Sequence, residues 1–210
     1  MQNVIEVASP FAQNLLGRMR DRSTDTSTFR SLSDRLCTIL LSNAFFQNDL
    51  ELIEITTPVI PTKILTLAPN FAVICVLRAG IAMLDPALRL LPSASIGFAG
   101  LKRDEETAIA SEYYWNIPFI SKNDIILIVD PMLGTGGSLL HVLRKLRENY
   151  QNEIRVVSAL AAPEGIKTVH LQFPEVIIIT GSIDERLNSK HYIVPGLGDY
   201  GDRYFGTETV

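Results

Sequence analysis

An acidic residue followed by a glycine-rich turn is the feature of this sequence with the clearest chemical potential. Asp130 comes directly after the apolar run Ile125–Val129, and the turn Gly134–Ser138 follows shortly afterwards. Such an apolar run predicts a strand covered on both faces, and these strands carry functional loops at their carboxyl ends. Backbone N–H groups at the start of a following helix bind phosphate. The segment therefore predicts a carboxylate beside an anion-binding loop.

Two common phosphate-binding motifs do not fit this segment. A Walker A loop ends in Gly-Lys-Ser/Thr, whereas Gly137 is followed by Ser138. A dinucleotide fingerprint that begins at Gly134 would need a third glycine where the chain has Leu139. A tight turn that binds nothing remains an alternative for the glycines alone. Asp130 and the neighbouring hydroxyl groups favour a binding site.

Alternating strand and helix patterns must position this segment. Apolar residues at helical spacing from Phe29 to Leu40 predict a helix capped by Asp25 or Thr26. Further strands are predicted at 71–77, 94–101, 154–161 and 176–180. Further helices are predicted in three places: in a segment that ends at residue 91, from residue 139 to near residue 150, and around 165–170. The alternation predicts an α/β fold with a central, mainly parallel sheet flanked by helices.

Two stretches interrupt the regular pattern. Pro86 lies inside the helical segment before Leu91, so that helix is expected either to begin near Asp85 or to be kinked there. Residues 102–118 are polar, aromatic and irregular, which predicts a loop or a projecting hairpin that closes over a ligand. The sequence shows no repeat and no interdomain linker, and a single domain over residues 1–210 is expected.

Composition restricts the class of protein. The hydrophobic fraction of 47% and the charged fraction of 20% are ordinary for a globular chain. No apolar run approaches the ~20 residues that span a bilayer, so no membrane association is expected. The first residues lack the basic-then-apolar order of a signal peptide, which predicts a cytoplasmic location. The net charge of −4 argues against a nucleic-acid partner, because such surfaces need clustered Lys and Arg.

Cysteine and histidine residues give no sign of a metal site. Cys37 and Cys75 lie in apolar helix and strand patterns and are expected to be reduced core residues. His141, His170 and His191 have neither metal-ligand spacing nor an evident acidic partner, and they are interpreted as surface or packing residues.

The segment Val129–Ser138 resembles the phosphoribosyl pyrophosphate (PRPP) loop of type I phosphoribosyltransferases. It is most similar to the version in uracil phosphoribosyltransferases, in which a proline follows a single acid. A second match, residues 192–207, is highly specific to that family, and the resemblance covers nearly the whole chain. It implies the type I phosphoribosyltransferase fold, with a small hood beside the central sheet.

The resemblance also implies roles for individual residues. PRPP would be bound by Arg78, Arg103, Asp130, Pro131, Met132, Leu133, Gly134, Thr135, Gly136, Gly137, Ser138 and Asp199. Uracil would be bound by Ile193, Gly198, Asp199 and Tyr200, and the catalytic residues would be Asp130, Arg103 and Asp199. The planar donor fork of arginine suits pyrophosphate oxygens. Mg²⁺ is implied as a cofactor that is held mainly through PRPP.

The implied activity is pyrimidine salvage, in which PRPP and uracil give UMP and pyrophosphate. The resemblance further implies a homodimer or higher homo-oligomer, and GTP as an activator in some members. Tyr200, Lys102 and Asn14 depart from the usual family residues, and the Tyr200 side chain is expected either to crowd the base or to point to solvent. Two alternatives therefore remain: a PRPP- or nucleotide-sensing regulator on the same fold, and a phosphoribosyltransferase for another base.

Overall fold

The computed structural model of the chain describes residues 3–103 and 110–207, without the side chains of residues 103 and 110. Along these residues the strands are β1 (Val4–Glu6), β2 (Leu50–Thr56), β3 (Pro61–Leu67), β4 (Phe71–Leu77), β5 (Ser95–Arg103), β6 (Ala110–Asn116), β7 (Ile125–Val129), β8 (Met132–Leu133), β9 (Ile154–Ser158), β10 (Leu160–Ala161), β11 (Ile177–Thr180), β12 (Arg186–Leu187) and β13 (Ile193–Val194). The helices are α1 (Pro10–Arg20), α2 (Thr26–Ser42), α3 (Ile81–Leu90), α4 (Gly137–Arg147), α5 (Pro163–His170) and α6 (Tyr200–Phe205).

In the part of the chain that the structure describes, the central sheet has seven strands in the order β1-β11-β9-β7-β4-β5-β6. Neighbouring strands are parallel except β6, which is antiparallel to β5. From β4 the chain continues to β5 and β6 on one side of the sheet, and from β7 it continues to β9 and β11 on the other side. The adjacent strands β4 and β7 therefore form the topological switch point. Open α/β sheets bind ligands outside the carboxyl ends of the strands at such a point. The predicted α/β fold with a mainly parallel sheet is confirmed.

Alternating core contacts explain why β7 is apolar throughout. Ile125, Leu127 and Val129 pack with residues of α1, α2, α3 and α6 on one face of the sheet. Ile126 and Ile128 pack with residues of α4 and α5 on the other face. Every residue of β7 is buried, as the sequence predicts for a strand covered on both sides. Both cysteines are free and buried in this core, also as predicted.

Capping and packing decide where the helices begin. Asp25 caps α2, because its Oδ1 accepts a 2.9 Å hydrogen bond from the Thr28 N–H group. Helix α3 begins at Ile81 and continues through Pro86, so the predicted start near Asp85 is wrong. Its first turn and Pro86 itself are packed into the core, and this burial outweighs the hydrogen bond that proline removes. No helix within residues 3–103 and 110–207 is long and apolar enough to cross a bilayer.

The chain leaves the sheet earlier than predicted after β9. The expected strand at 154–161 is divided, because β9 ends at Ser158 and β10 pairs instead with β8 in the loop after β7. The Pro131 carbonyl oxygen accepts hydrogen bonds of 2.9 and 3.1 Å from the N–H groups of Ala159 and Leu160. These bonds satisfy backbone donors outside the main sheet and tie the two loops together.

The hairpin β5–β6 is predicted from the sequence, whereas a second hairpin is not. β6 pairs with β5, which confirms a hairpin in the stretch 102–118, although residues 104–109 lie outside the described residues. The second hairpin joins β2 and β3 in register from Leu50–Leu67 to Thr56–Pro61. Most of its residues are exposed, so it lacks the half-buried alternation that reveals a strand.

A buried ion pair fixes the chain at the base of the second hairpin. Arg155 of β9 is 0% exposed and donates to both carboxylate oxygens of Asp49, at 2.5 and 2.7 Å. We expect Asp49→Ala to lower the free energy of unfolding by about 3 kcal/mol, because it leaves a buried guanidinium with fewer partners. Urea denaturation measures the change. Glu54→Ala, which breaks an exposed pair with Lys63, is the control and should have little effect. Equal losses in both variants would contradict the prediction.

Candidate active site

The loop after β7 forms an open cavity at the carboxyl edge of the sheet. Asp130 and residues 132–139 line this cavity. Gly136 has a φ of 82°, and α4 begins immediately after it. Gly136 supplies no side-chain cap to α4, and Thr135 Oγ1 accepts only a long hydrogen bond of 3.4 Å from the Gly137 N–H group, so the N–H groups of the first turn can serve an anion in the cavity. The turn has the shape that a phosphate-binding loop requires.

Helix α5 packs directly against the backbone of this loop. A Cβ atom on Gly165 would lie 2.2 Å from the Gly134 carbonyl oxygen and 3.0 Å from the Leu133 carbonyl oxygen. In the opposite direction, a Cβ atom on Gly136 would lie 3.0 Å from the Gly165 carbonyl oxygen. No larger residue fits at Gly165 without displacing the loop, so α5 fixes the position of the loop backbone.

Asp130 lines the cavity with a half-buried carboxylate. Its Oδ1 accepts a long hydrogen bond of 3.4 Å from the Met132 N–H group. Its backbone carbonyl accepts a 2.6 Å hydrogen bond from Ser158 Oγ, which holds the end of β7. Burial disfavours the charged carboxylate and raises the pKa of Asp130 to about 7. Such a carboxylate is well placed to accept hydrogen bonds from the hydroxyl groups of a ligand.

Arg78 reaches the same edge of the sheet from the adjacent strand. A Cβ atom on Gly80 would lie 2.5 Å from the Val76 carbonyl oxygen and 2.6 Å from the Val129 carbonyl oxygen. The turn after β4 is therefore packed against the end of β7. The Arg78 guanidinium is exposed, and its Nη2 lies 3.2 Å from Oδ1 of Asp202 in α6. The turn that carries this exposed cation thus packs against the end of the strand that precedes the carboxylate.

The turn between β13 and α6 meets the turn after β4. Gly198 has a φ of 83°, and Oδ1 of Asp199 caps α6 by accepting a 2.8 Å hydrogen bond from the Asp202 N–H group. A Cβ atom on Gly201 would lie 3.8 Å from the Cβ atom of Ala79. The sequence segments that resemble the donor and acceptor sites therefore converge at one edge of the sheet.

Tyr200 points away from this edge and into the core. It is 1% exposed, its hydroxyl lies 2.6 Å from Ser33 Oγ, and its ring meets the Phe29 ring edge-on. Both sequence-based expectations for this side chain, crowding of a base and exposure to solvent, are therefore wrong. The reason is that the first turn of α6 packs on α2, which turns the phenol inward. Only the backbone of Tyr200 is available to a base.

Charged residues that the sequence does not single out hold the turn before α6. Arg20 donates to both carboxylate oxygens of Asp184, at 2.6 and 2.7 Å, and to the Gly196 carbonyl oxygen at 2.7 Å. The Gly196 N–H group donates to Asp184 in return, at 2.8 Å. Burial opposes the charge of Asp184, but these hydrogen bonds hold its pKa below the usual range. Arg203 adds a 2.9 Å hydrogen bond to the Leu197 carbonyl oxygen.

Comparison with known proteins identifies the family. A family model described as uracil phosphoribosyltransferase matches residues 6–207. The chain belongs to the uracil phosphoribosyltransferase family. It is therefore a transferase of the phosphoribosyltransferase class, and the resemblance of the two loops to this family is confirmed.

Relatives in the uracil phosphoribosyltransferase family match along their whole length. A uracil phosphoribosyltransferase from Campylobacter curvus (strain 525.92) is 40% identical over 207 residues, covering 99% of this chain and 100% of the relative. One from Streptomyces griseus is 43% identical over 204 residues, covering 96% and 97%. Among solved structures, the AQ2163 protein from Aquifex aeolicus matches with a TM-score of 0.91 and 36% identity, over 99% of this chain and 100% of that chain.

A more distant structure supports the fold alone. The adenine phosphoribosyl transferase from Trypanosoma brucei is 13% identical, with a TM-score of 0.60, and covers 95% of this chain and 89% of that chain. Together with the strand order, this likeness confirms the expected type I phosphoribosyltransferase fold for this member of the uracil phosphoribosyltransferase family.

The role predicted for Arg103 stays a prediction, and one expectation for His141 is wrong. Arg103 ends β5, whose carboxyl end lies at the same edge as that of β4, but its side chain lies outside the described residues. His141 does have an acidic partner, contrary to the sequence-based interpretation. Its Nε2 lies 2.8 Å from Glu112 of β6, which also accepts a 2.6 Å hydrogen bond from Lys145. The partner comes from a strand distant in sequence, so no local pattern reveals it.

Proposed function

We propose that the protein transfers the 5-phosphoribosyl group of PRPP to N1 of uracil, which gives UMP and pyrophosphate. The observation that carries this proposal is the convergence of three loops at the β4/β7 switch point. These loops bring Asp130, Arg78 and the turn before α6 to one edge of the sheet. We also propose a cytoplasmic location, which agrees with the two cysteines being free thiols buried in the core.

Donor binding is assigned to the loop after β7 and to the arginines. Backbone N–H groups and hydroxyls of residues 135–138 would hold the 5′-phosphate at the start of α4. Asp130 would accept hydrogen bonds from the ribose hydroxyls, while Arg78 and Arg103 would bind pyrophosphate. When pyrophosphate begins to depart, positive charge develops on the ribose ring, and the Asp130 carboxylate stabilises it.

Acceptor binding is assigned to the turn that precedes α6. Backbone groups of Ile193, Gly198 and Tyr200 would read the edge of uracil, which presents a carbonyl beside an N–H group. Cytosine inverts part of this pattern and would leave buried groups unpaired, and such sites discriminate by ~10⁴ or more. Oδ1 of Asp199 accepts the capping hydrogen bond of α6, and the carboxylate keeps acceptor capacity for a contact with substrate. Asp199 would either take the N1 proton or hold a water molecule.

The donor set of the site fits Mg²⁺ that enters with PRPP. Within residues 3–103 and 110–207 no group of three or more His, Cys, Asp or Glu side chains is arranged to hold a metal ion. Mg²⁺ binds through phosphate oxygens and waters with one or two carboxylates, and Asp130 or Asp199 would supply these. When bound, the ion neutralises charge on pyrophosphate and makes it a better leaving group.

The pKa of Asp130 predicts a pH dependence for PRPP use. Because the carboxylate form is required and the pKa is raised to about 7, we expect kcat/KM for PRPP to rise as pH increases towards 7 and then to level off. Steady-state assays between pH 5.5 and about 8.5 measure this profile. PRPP itself titrates in this range, so the Asp130→Asn profile serves as the reference. Identical profile shapes in the two proteins would contradict the assignment.

The β2–β3 hairpin supports a homo-oligomer. Leu52 and Leu65 are cross-strand partners and are 60% and 59% exposed, and Val59 and Ile60 at its tip are 86% and 61% exposed. Exposed apolar patches of this kind mark interfaces, and we propose that a second copy of the chain covers the hairpin. Leu52→Asp should shift the mass measured by light scattering towards the monomer. Ser93→Asp, the same charge at an exposed polar position outside the hairpin, should not. An unchanged mass in both would reject this interface.

A product assay with a panel of bases tests the proposed function. Purified protein with Mg²⁺ and PRPP should form UMP from uracil and should use cytosine, hypoxanthine and adenine at least 10³-fold less efficiently. Turnover only with another base would overturn the uracil assignment. Tight PRPP binding without turnover would instead favour the regulator. The inward orientation of Tyr200 removes one of the three sequence departures on which the regulator hypothesis rests. The same assay with added GTP tests the activation that the family resemblance implies.

A further inference from the structure

A buried cluster lies directly beneath the proposed base-binding turn and takes no part in the chemistry described above. The Tyr200 hydroxyl lies 2.6 Å from Ser33 Oγ and 3.7 Å from Cys37 Sγ, and the Phe29 ring packs edge-on against the phenol at 5.1 Å between centroids. Each of these side chains is at most 1% exposed. We refer to Tyr200, Ser33, Cys37 and Phe29 as the Tyr200 anchor.

One hydrogen bond provides the directional contact in the Tyr200 anchor. The 2.6 Å separation of the two hydroxyl oxygens is that of a good O–H···O hydrogen bond, whereas a thiol at 3.7 Å is a weak partner. Burial raises the pKa of Tyr200 well above its ordinary value, so the phenol remains a neutral group that can donate. A buried hydroxyl that loses its partner is costly, so the Tyr200–Ser33 pair has one strongly preferred geometry.

The same short helix connects the anchor with the site. Tyr200 is the first residue of α6 and follows Asp199 directly, while Asp202 contacts Arg78 from the same turn of helix. One side of this turn therefore faces the switch point, and the other side is bonded to Ser33 in the middle of α2. Helix α2 is packed against the sheet through buried residues along its length, which makes it a fixed reference.

We propose that the hydrogen bond between Tyr200 and Ser33 sets the position of the turn Gly198–Tyr200, so that Tyr200 and Ser33 are positioning residues for the acceptor base. The inference rests on the proposed uracil site. Backbone recognition requires donors and acceptors at fixed positions, and a displaced turn forms weaker hydrogen bonds with the base. Removal of the bond should therefore weaken uracil use while the PRPP loop, which is held by α5, keeps its geometry.

The hydrogen bond can be removed from either side, by substituting Tyr200 or by substituting Ser33. In Tyr200→Phe the ring still packs on Phe29, and the Ser33 hydroxyl can turn to the carbonyl oxygen one helical turn earlier. This variant is therefore expected to fold. In Ser33→Ala the phenol keeps only the weak Cys37 contact, so the loss of stability should be larger. Both variants remove the same positional constraint on the turn.

Steady-state kinetics of Tyr200→Phe, Ser33→Ala and the double variant test the proposal. We expect the KM for uracil to rise about three- to tenfold in each, the range that one lost hydrogen bond gives, with no further rise in the double variant. The KM for PRPP and kcat should stay within about twofold. Tyr150→Phe is the matched control, because its hydroxyl contacts Pro118 and its ring packs on the opposite face of the sheet.

Other outcomes would overturn the proposal. An unchanged KM for uracil in both single variants, together with a lower melting temperature, would show that the bond is merely structural. Equal rises in KM for uracil and for PRPP would show general loosening of the protein. A wild-type protein that makes no UMP would reject the proposed function and this inference together, whereas an active wild type with unaffected variants would reject this inference alone.

Discussion

Asp130→Asn is expected to lower kcat/KM for UMP formation by about 10²–10³-fold, the cost of removing one group that stabilises charge in a transition state. The substitution keeps the shape of the side chain but removes the negative charge that lies in the cavity beside α4. PRPP should still bind through its phosphates, so most of the loss should appear in kcat. The measurement is the initial rate of UMP formation at saturating uracil.

The same substitution is expected to stabilise the protein at alkaline pH. The pKa of Asp130 is raised to about 7 in the folded protein, above about 3.9 in an unfolded chain. The folded state therefore binds more protons between about pH 4 and 7, and the free energy of unfolding falls as pH rises through this window. Above pH 7 the charge on this half-buried carboxylate costs up to a few kcal/mol, a cost that asparagine avoids.

Urea denaturation and activity, both measured on each purified variant, separate the effect on stability from the effect on catalysis. Asp130→Asn should unfold at higher urea concentration than the wild type at pH 8 and at a similar concentration near pH 4, while its activity is low. Asp85→Asn, which changes an exposed carboxylate in α3, is the control and should retain activity. An Asp130→Asn variant with wild-type turnover, or with lower stability at pH 8, would contradict the account.

Gly165→Ala is expected to raise the KM for PRPP by about ten- to a hundredfold, because the new methyl group displaces the phosphate-binding loop. Its Cβ atom would lie 2.2 Å from the Gly134 carbonyl oxygen, and no flexible side chain is there to give way. The loop backbone must shift by about 1 Å to restore an ordinary contact. The N–H groups at the start of α4 would then no longer point at one phosphate position.

Gly17→Ala provides a matched control for this substitution. Gly17 lies in α1, and a Cβ atom there would meet nothing within 4 Å. This variant should keep the KM for PRPP and gain slight stability, because alanine is the better helix former. A Gly165→Ala variant with an unchanged KM for PRPP would show that the loop does not depend on the position of α5.

Much of the fold is predictable because its central elements are buried. The apolar run of β7 and the helical spacing of α2 follow directly from packing on both faces of the sheet. The β2–β3 hairpin is different, since it projects from the sheet and its apolar residues are exposed. Burial is what produces a periodic sequence pattern, so a hairpin whose apolar residues are exposed leaves little local trace.

The site is predictable only where its residues are contiguous in sequence. The loop Asp130–Ser138 and the turn before α6 can be found from local pattern and resemblance. The supports of that turn cannot, because Arg20 and Asp184 are 164 positions apart and Ser33 and Tyr200 are 167 apart. The inward direction of the Tyr200 phenol likewise depends on how α6 packs on α2, and no local rule specifies that packing.

A crystal structure of the protein soaked with UMP would show whether the loop after β7 holds the phosphate and the turn before α6 holds the base. We expect density for the 5′-phosphate at the N–H groups of residues 135–138, the ribose hydroxyls within hydrogen-bond distance of Asp130, and uracil against the backbone of residues 193–200. UMP bound elsewhere, or bound with its phosphate at Arg78 and its base at the start of α4, would contradict the account.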